Sequence, residues 1–189
     1  MKTKEKLDLL SLLFSRPDEF IKERIKDGSL GEMLETAFPQ LSFSEFKDPA
    51  YRKNLEEKIS KDYLYLFVGV SKPLASPYES SYYKKDSRLM DKPARDMIKL
   101  MKKWGLEFDQ AYKDLPDHIG AKLAVIATLL DHKDQVQEEV LKAEIDKDIK
   151  EITKNMTWLE SFKEKISANE EVVFYSKLSQ AIIDSLKEI

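Results

Sequence analysis

At 189 residues, with 42% hydrophobic and 35% charged residues, the chain is long enough for one good core and too apolar to be disordered. A formal charge of −3, with no basic patch interleaved with aromatics, argues against nucleic acid as a partner, because phosphate binding leans on a basic surface. Cysteine is absent, which excludes disulfides, thiolate catalysis and cysteine-ligated zinc or iron–sulfur centres, and fits a reducing compartment.

No apolar run long enough for a signal peptide follows the opening residues Met1 to Lys6, so a secretory leader is not expected. The longest apolar stretch, Leu123 to Leu130, carries Thr128 and is far short of the roughly 20 residues a membrane span requires. A cytoplasmic chain is expected. With five glycines and no sustained period of two, no sheet is predicted, and helix signals dominate.

Leu7, Leu10, Leu13 and Phe14 form the first apolar stripe; Ser15 and Pro17 stop it and start a second helix through Phe20, Ile21 and Ile25 to Gly28. Ser29 with Glu32, and Ser42 with Glu45, have capping-box spacing for short helices. Asp48-Pro49 opens a long helix carrying Tyr51, Leu55, Ile59, Tyr63, Leu66 and Phe67, ending at Gly69. A loop punctuated by Pro73, Pro77, Tyr78, Tyr82 and Tyr83 follows. The polar segment Lys84–Lys92 is the candidate hinge, dividing the chain into two unequal helical halves that could exchange between two copies to give a homodimer.

Asp91 to Pro93 begins the next helix, with Met97, Ile98, Met101 and Trp104 before Gly105. Leu115-Pro116 starts a helix through Ile119, Leu123, Ile126, Ala127 and Leu130 that is hydrophobic nearly all round and therefore central. Val136, Val140, Ile149, Ile152, Met156, Leu159, Phe162 and Ile166 continue as one or two amphipathic helices, and Val172 to Leu186 forms the last. The expected fold is all-α: one helical domain over residues 1–189, of about eight to ten helices.

Signatures of catalysis are missing. There is no Gly-rich phosphate loop, no His-Glu-x-x-His and no Gly-x-Ser-x-Gly. The only histidines, His118 and His132, would lie about 21 Å apart on one helix and cannot share a metal. No enzyme, cofactor or metal site is therefore expected. Asp117 reads as a carboxylate one or two residues inside a helix N-terminus, and His118 as a half-buried packing residue. Tyr63, Leu66 and Phe67 suit either a core or a binding face, and helical spacing puts at least one of them inside. Tyrosines in a Pro-stiffened loop offer rigid amphipathic contact area, or staple the loop to the core. Glu79 either orients that loop or supplies a second carboxylate.

In chain order, Leu66-Phe67-Val68-Gly69, then Ser76-Pro77-Tyr78-Glu79-Ser80-Ser81-Tyr82, then Pro116-Asp117-His118 resemble the TorD/DmsD/NarJ family. The resemblance implies an all-helical cytoplasmic chaperone for maturation of a molybdenum-containing oxidoreductase. Its partner would be the N-terminal segment of the catalytic subunit, often a twin-arginine export signal, held until cofactor insertion and folding are complete. It also implies a client-peptide site from Tyr63, Leu66, Phe67, Pro77, Tyr78, Glu79, Tyr82, Asp117 and His118, the acid suited to hold an arginine guanidinium. Leu115 and Lys122 stand where many relatives carry Glu, which makes the site less acidic. Two further readings are a helical assembly subunit that does not recognise a leader, and a small-molecule or hydrolytic site centred on Asp117 and His118.

Overall fold

The structure, a computed structural model, describes every residue except Ser71, Ser87, Gln110 and Ala111. The predicted aromatic loop includes Ser71 and the predicted hinge includes Ser87, and at those two positions the expectations lie outside the described residues. The helices are α1 (Thr3–Leu13), α2 (Glu19–Asp27), α3 (Ser29–Ala37), α4 (Pro49–Tyr63), α5 (Ser80–Tyr83), α6 (Lys92–Lys103), α7 (Ile119–Gln135), α8 (Glu139–Lys154), α9 (Leu159–Ser167) and α10 (Val173–Leu186). Short 3-10 turns cover Pro39–Leu41, Ser44–Lys47 and Met156–Trp158. Among the described residues there is no strand, only an isolated bridge between Tyr78 and His118.

Local chemistry sets several boundaries. The Asp18 carboxylate accepts from Ile21 N–H at 3.0 Å to start α2, and Gly28, at φ +88°, ends it in the left-handed conformation. Asp48 accepts from Ala50 N–H at 2.8 Å with Pro49 in the first turn of α4, as the Asp-Pro pair predicts. The two predicted capping boxes are not made. Ser29 is already helical behind Gly28, while Glu45 turns away to pair with Lys177 at 2.6 Å. A long-range cation outcompetes a local backbone N–H there.

α1 packs along α7, and α10 closes against both α1 and α9, so the apolar α7 is central as expected. The core centres on a cluster of five rings. Phe67 stacks on Phe162 at 5.8 Å, meets Tyr175 edge-on at 5.1 Å, and lies 5.8 Å from Phe14 and 5.2 Å from Tyr63. Such pairs add to the hydrophobic gain of burying large rings.

α4 does not stop at Tyr63. It widens into a π-helical turn, Leu64–Val68, closed by the Gly69 N–H donating to the Leu64 carbonyl at 2.7 Å. Gly69 sits at φ +65° and ψ 172°, and a Cβ there would lie 2.2 Å from the Lys72 carbonyl oxygen. Only glycine fits. The chain then turns back, Ala75 N–H donating to the Leu66 carbonyl at 2.8 Å, which delivers residues 76–82 towards the start of α7.

Candidate functional site

The two motif segments meet at the Tyr78–His118 bridge. Ile119 N–H donates to the Pro77 carbonyl at 2.8 Å, and Glu79 N–H donates to the Asp117 carbonyl at 3.1 Å. Ser80 N–H, at the start of α5, donates to Asp117 Oδ2 at 2.8 Å. The Tyr78 ring lies edge-on to the imidazole at 5.2 Å, and its hydroxyl donates to Asp114 Oδ1 at 2.8 Å.

α7 starts later than the sequence predicts. Its N-cap is His118, whose Nδ1 accepts from Gly120 N–H at 3.1 Å. Asp117 therefore stands outside α7 and tethers Ser80 rather than its own helix. Both side chains are fully buried, which also corrects the half-buried placing of His118. Asp117 Oδ1, His118 Nε2 and Ser80 Oγ have no hydrogen-bond partner there.

The Gly120 contact keeps Nδ1 an acceptor and leaves the neutral ring's proton on Nε2. Burial holds the His118 pKa below its ordinary value of 6.5, with the Asp114 and Asp117 carboxylates pulling the other way. A lowered imidazole pKa means the unfolded chain takes up a proton before the folded one does. Stability is thus fully present above about pH 6.5 and lost as pH falls below it. Urea midpoints for wild type should drop between pH 7 and 5.5, and His118→Gln should flatten that part of the profile; an unchanged slope would place the titration elsewhere.

Beneath the loop, the Glu79 carboxylate and the Lys122 ammonium form a buried ion pair. The pair floors a groove of about 310 Å³ between α6 and α8, with Pro93, Met97, Leu100 and Ile152 on its walls. Tyr82 stacks on Trp158 at 5.0 Å in a neighbouring hollow, with the Lys165 ammonium 4.5 Å from its ring centre.

Of the predicted site residues, Pro77, Tyr78, Glu79, Asp117 and His118 converge at one junction, with Tyr82 one turn further on. Tyr63, Leu66 and Phe67 are 6%, 0% and 4% exposed and belong to the core. Their neighbours Leu64, Tyr65, Val68, Val70 and Leu74 are the exposed apolar residues of that stretch. Asp114 escaped the sequence reading, yet it holds Tyr78 and bears electrostatically on Tyr63 and Tyr112. Lys122 was read from the sequence only as a lysine where many relatives carry Glu; its buried partner Glu79 was not foreseen.

The nitrate reductase delta subunit family model matches residues 27–164, a span that holds both motif segments. The chain belongs to that family. It is 29% identical over 134 residues to the chaperone protein TorD of Vibrio parahaemolyticus, covering 70% of this chain and 62% of that relative. It is also 23% identical over 136 residues to a DmsD Tat proofreading chaperone of Haemophilus influenzae, covering 72% and 62% respectively. The chain thus spans under two thirds of the length of these relatives. A crystal structure from Archaeoglobus fulgidus, assigned to redox enzyme maturation, superposes with a TM-score of 0.61 at 20% identity over 99% of this chain and 95% of that one. That superposition supports the all-helical family fold. Among the described residues, no helix is long and apolar enough to cross a membrane, and no group of three or more His, Asp or Glu side chains could hold a metal ion.

Proposed function

We propose that this protein is a cytoplasmic chaperone for maturation of a molybdenum-containing oxidoreductase, binding the N-terminal leader of its catalytic subunit before export or assembly. The observation that carries this reading is the family match spanning both segments that meet at the Tyr78–His118 bridge. The TorD and DmsD names of its relatives point the same way. Asp117 is the group suited to a leader arginine, since Oδ1 is unpartnered and Oδ2 holds only one backbone N–H. The apolar part of a leader suits the exposed residues Leu64, Tyr65, Val68 and Leu74. Tyr63, Leu66 and Phe67 then support the site from within the core instead of touching the client.

Co-purification from native lysate should recover a molybdoenzyme catalytic subunit, and its leader should bind the isolated chaperone. Asp117→Asn should weaken that binding by about 1.5–3 kcal/mol, the worth of a charge-assisted hydrogen bond. A leader with both arginines changed to lysine should lose most of the difference between wild type and variant. Asp117→Asn that destabilises the fold while affinity per folded molecule is retained would leave Asp117 a tether of Ser80 and nothing more. The exposed apolar residues Leu64, Tyr65, Val68, Val70 and Leu74 also suit an assembly subunit that stays bound. Retention of the chaperone in the mature enzyme would favour that second reading.

A further inference from the structure

The reading of Asp117 and His118 as client groups meets a geometric obstacle, because both side chains have no exposed surface. Residues 77–80 lie against them. The cover is held by the Ile119–Pro77 and Glu79–Asp117 backbone bonds, by Ser80 N–H on Asp117, by the Tyr78 hydroxyl on Asp114 and by the Glu79–Lys122 pair. With the Tyr78–His118 and Tyr82–Trp158 ring contacts, these are the attachments of one short segment, a unit small enough to open without global unfolding. A 2.7 Å bond between the Ser76 and Ser81 hydroxyls closes the segment on itself, so it can move as a unit. Downstream, the described residues from 83 to 90 are exposed and supply slack.

The inner face of the cover is under-satisfied. Asp117 Oδ1, His118 Nε2 and Ser80 Oγ form an acceptor, a donor and a hydroxyl with no partners, although all three residues are buried. A buried polar atom without a partner costs stability, which brings the open form closer in free energy. A peptide arriving at the opened junction finds complementary groups: the Ile119 N–H, the Asp117 carbonyl, both Asp117 carboxylate oxygens and the His118 Nε2–H.

Resting on the client reading above, we infer that Pro77–Tyr82 is a latch over a cryptic peptide site, displaced by an extended segment that carries an arginine. The incoming backbone replaces Pro77 and Glu79 on residues 117–119, and the guanidinium replaces the Ser80 N–H on Asp117. This is strand exchange at a single bridge. Only the open fraction binds, so apparent affinity is reduced by the closed population.

The absence of cysteine makes this testable with one thiol, Ser80→Cys, which removes no hydrogen bond made by Ser80 Oγ. The probe is a synthetic twin-arginine leader of about 25 residues, its binding followed separately by anisotropy. Labelling of Ser80→Cys by a small thiol reagent should be slow in the protein alone, insensitive to low urea, and accelerated about tenfold or more by saturating leader. Tyr78→Phe in the same background should raise the leader-free rate, and also tighten leader binding, by about fivefold, the factor of one ordinary hydrogen bond. Simple destabilisation does not produce tighter binding. A leader that binds while Ser80→Cys stays protected, or binds Tyr78→Phe more weakly, overturns the latch and leaves the client reading intact. A leader that does not bind at all overturns the client reading. Labelling alone then decides: protection lost only in step with urea-induced global unfolding overturns the latch as well, and urea-independent labelling upholds the opening.

Discussion

Phe67→Ala should lower the unfolding free energy by about 3–5 kcal/mol, the usual cost of emptying a large ring from a closed core. Phe67 is 4% exposed and meets Phe14 at the C-terminal cap of α1, Tyr63 of α4, Phe162 of α9 and Tyr175 of α10. No single neighbour can relax into the gap, because each ring is fixed by a different helix. Urea denaturation gives the number directly. The same variant separates two roles for the Leu66-Phe67 motif. A core role predicts a large stability loss, with leader affinity per folded molecule close to wild type. Near-native stability with abolished leader binding would instead make Phe67 a contact residue, despite its burial.

Lys122→Met should cost a comparable amount, about 3–5 kcal/mol, because it leaves the Glu79 carboxylate buried without its countercharge. The two side chains are 3% and 10% exposed, so solvent does little to screen the loss. Adding Glu79→Gln to Lys122→Met should recover much of the stability, since the uncompensated charge is then gone. The double-mutant cycle measures the coupling, and a coupling under about 1 kcal/mol would mean that water reaches the pair through the α6–α8 groove. Under the proposed client role the pair also bears on recognition, because Lys122 neutralises Glu79, one of the carboxylates at the junction beside Asp114 and Asp117.

Much of the fold was legible because helices declare themselves locally. The apolar stripes of α1, α2, α6 and α10 follow the helical period, and Asp48 and Asp91 sit where their helices begin, as the sequence predicts, while the N-cap of α2 is Asp18, one residue past the Ser15–Pro17 signal. The capping boxes at Ser29 and Ser42 failed because spacing says nothing about competitors. Gly28 already occupied the cap of α3, and Lys177 from α10 drew Glu45 away. The late start of α7 has the same origin. Asp117 had a better partner in Ser80, 37 residues earlier in the chain, than in the helix it precedes.

What the sequence determined by itself was the class of the protein. Composition argued against a nucleic-acid partner and excluded thiol chemistry, periodicity predicted an all-α globule, and the ordered motifs around Tyr78 and His118 marked the family. Which residues of the motif segments are buried was a tertiary decision. Tyr63, Leu66 and Phe67 share a stretch with Leu64, Tyr65 and Val68, and the π-helical turn with the packing of α9 and α10 selects the first set for the core. Asp117 and His118 were visible as a pair, but their burial beneath Tyr78 and the neutralisation of Glu79 by Lys122 were not. Periodicity reports which positions are apolar; only the assembled neighbours decide which polar groups lose water and which partners they then take.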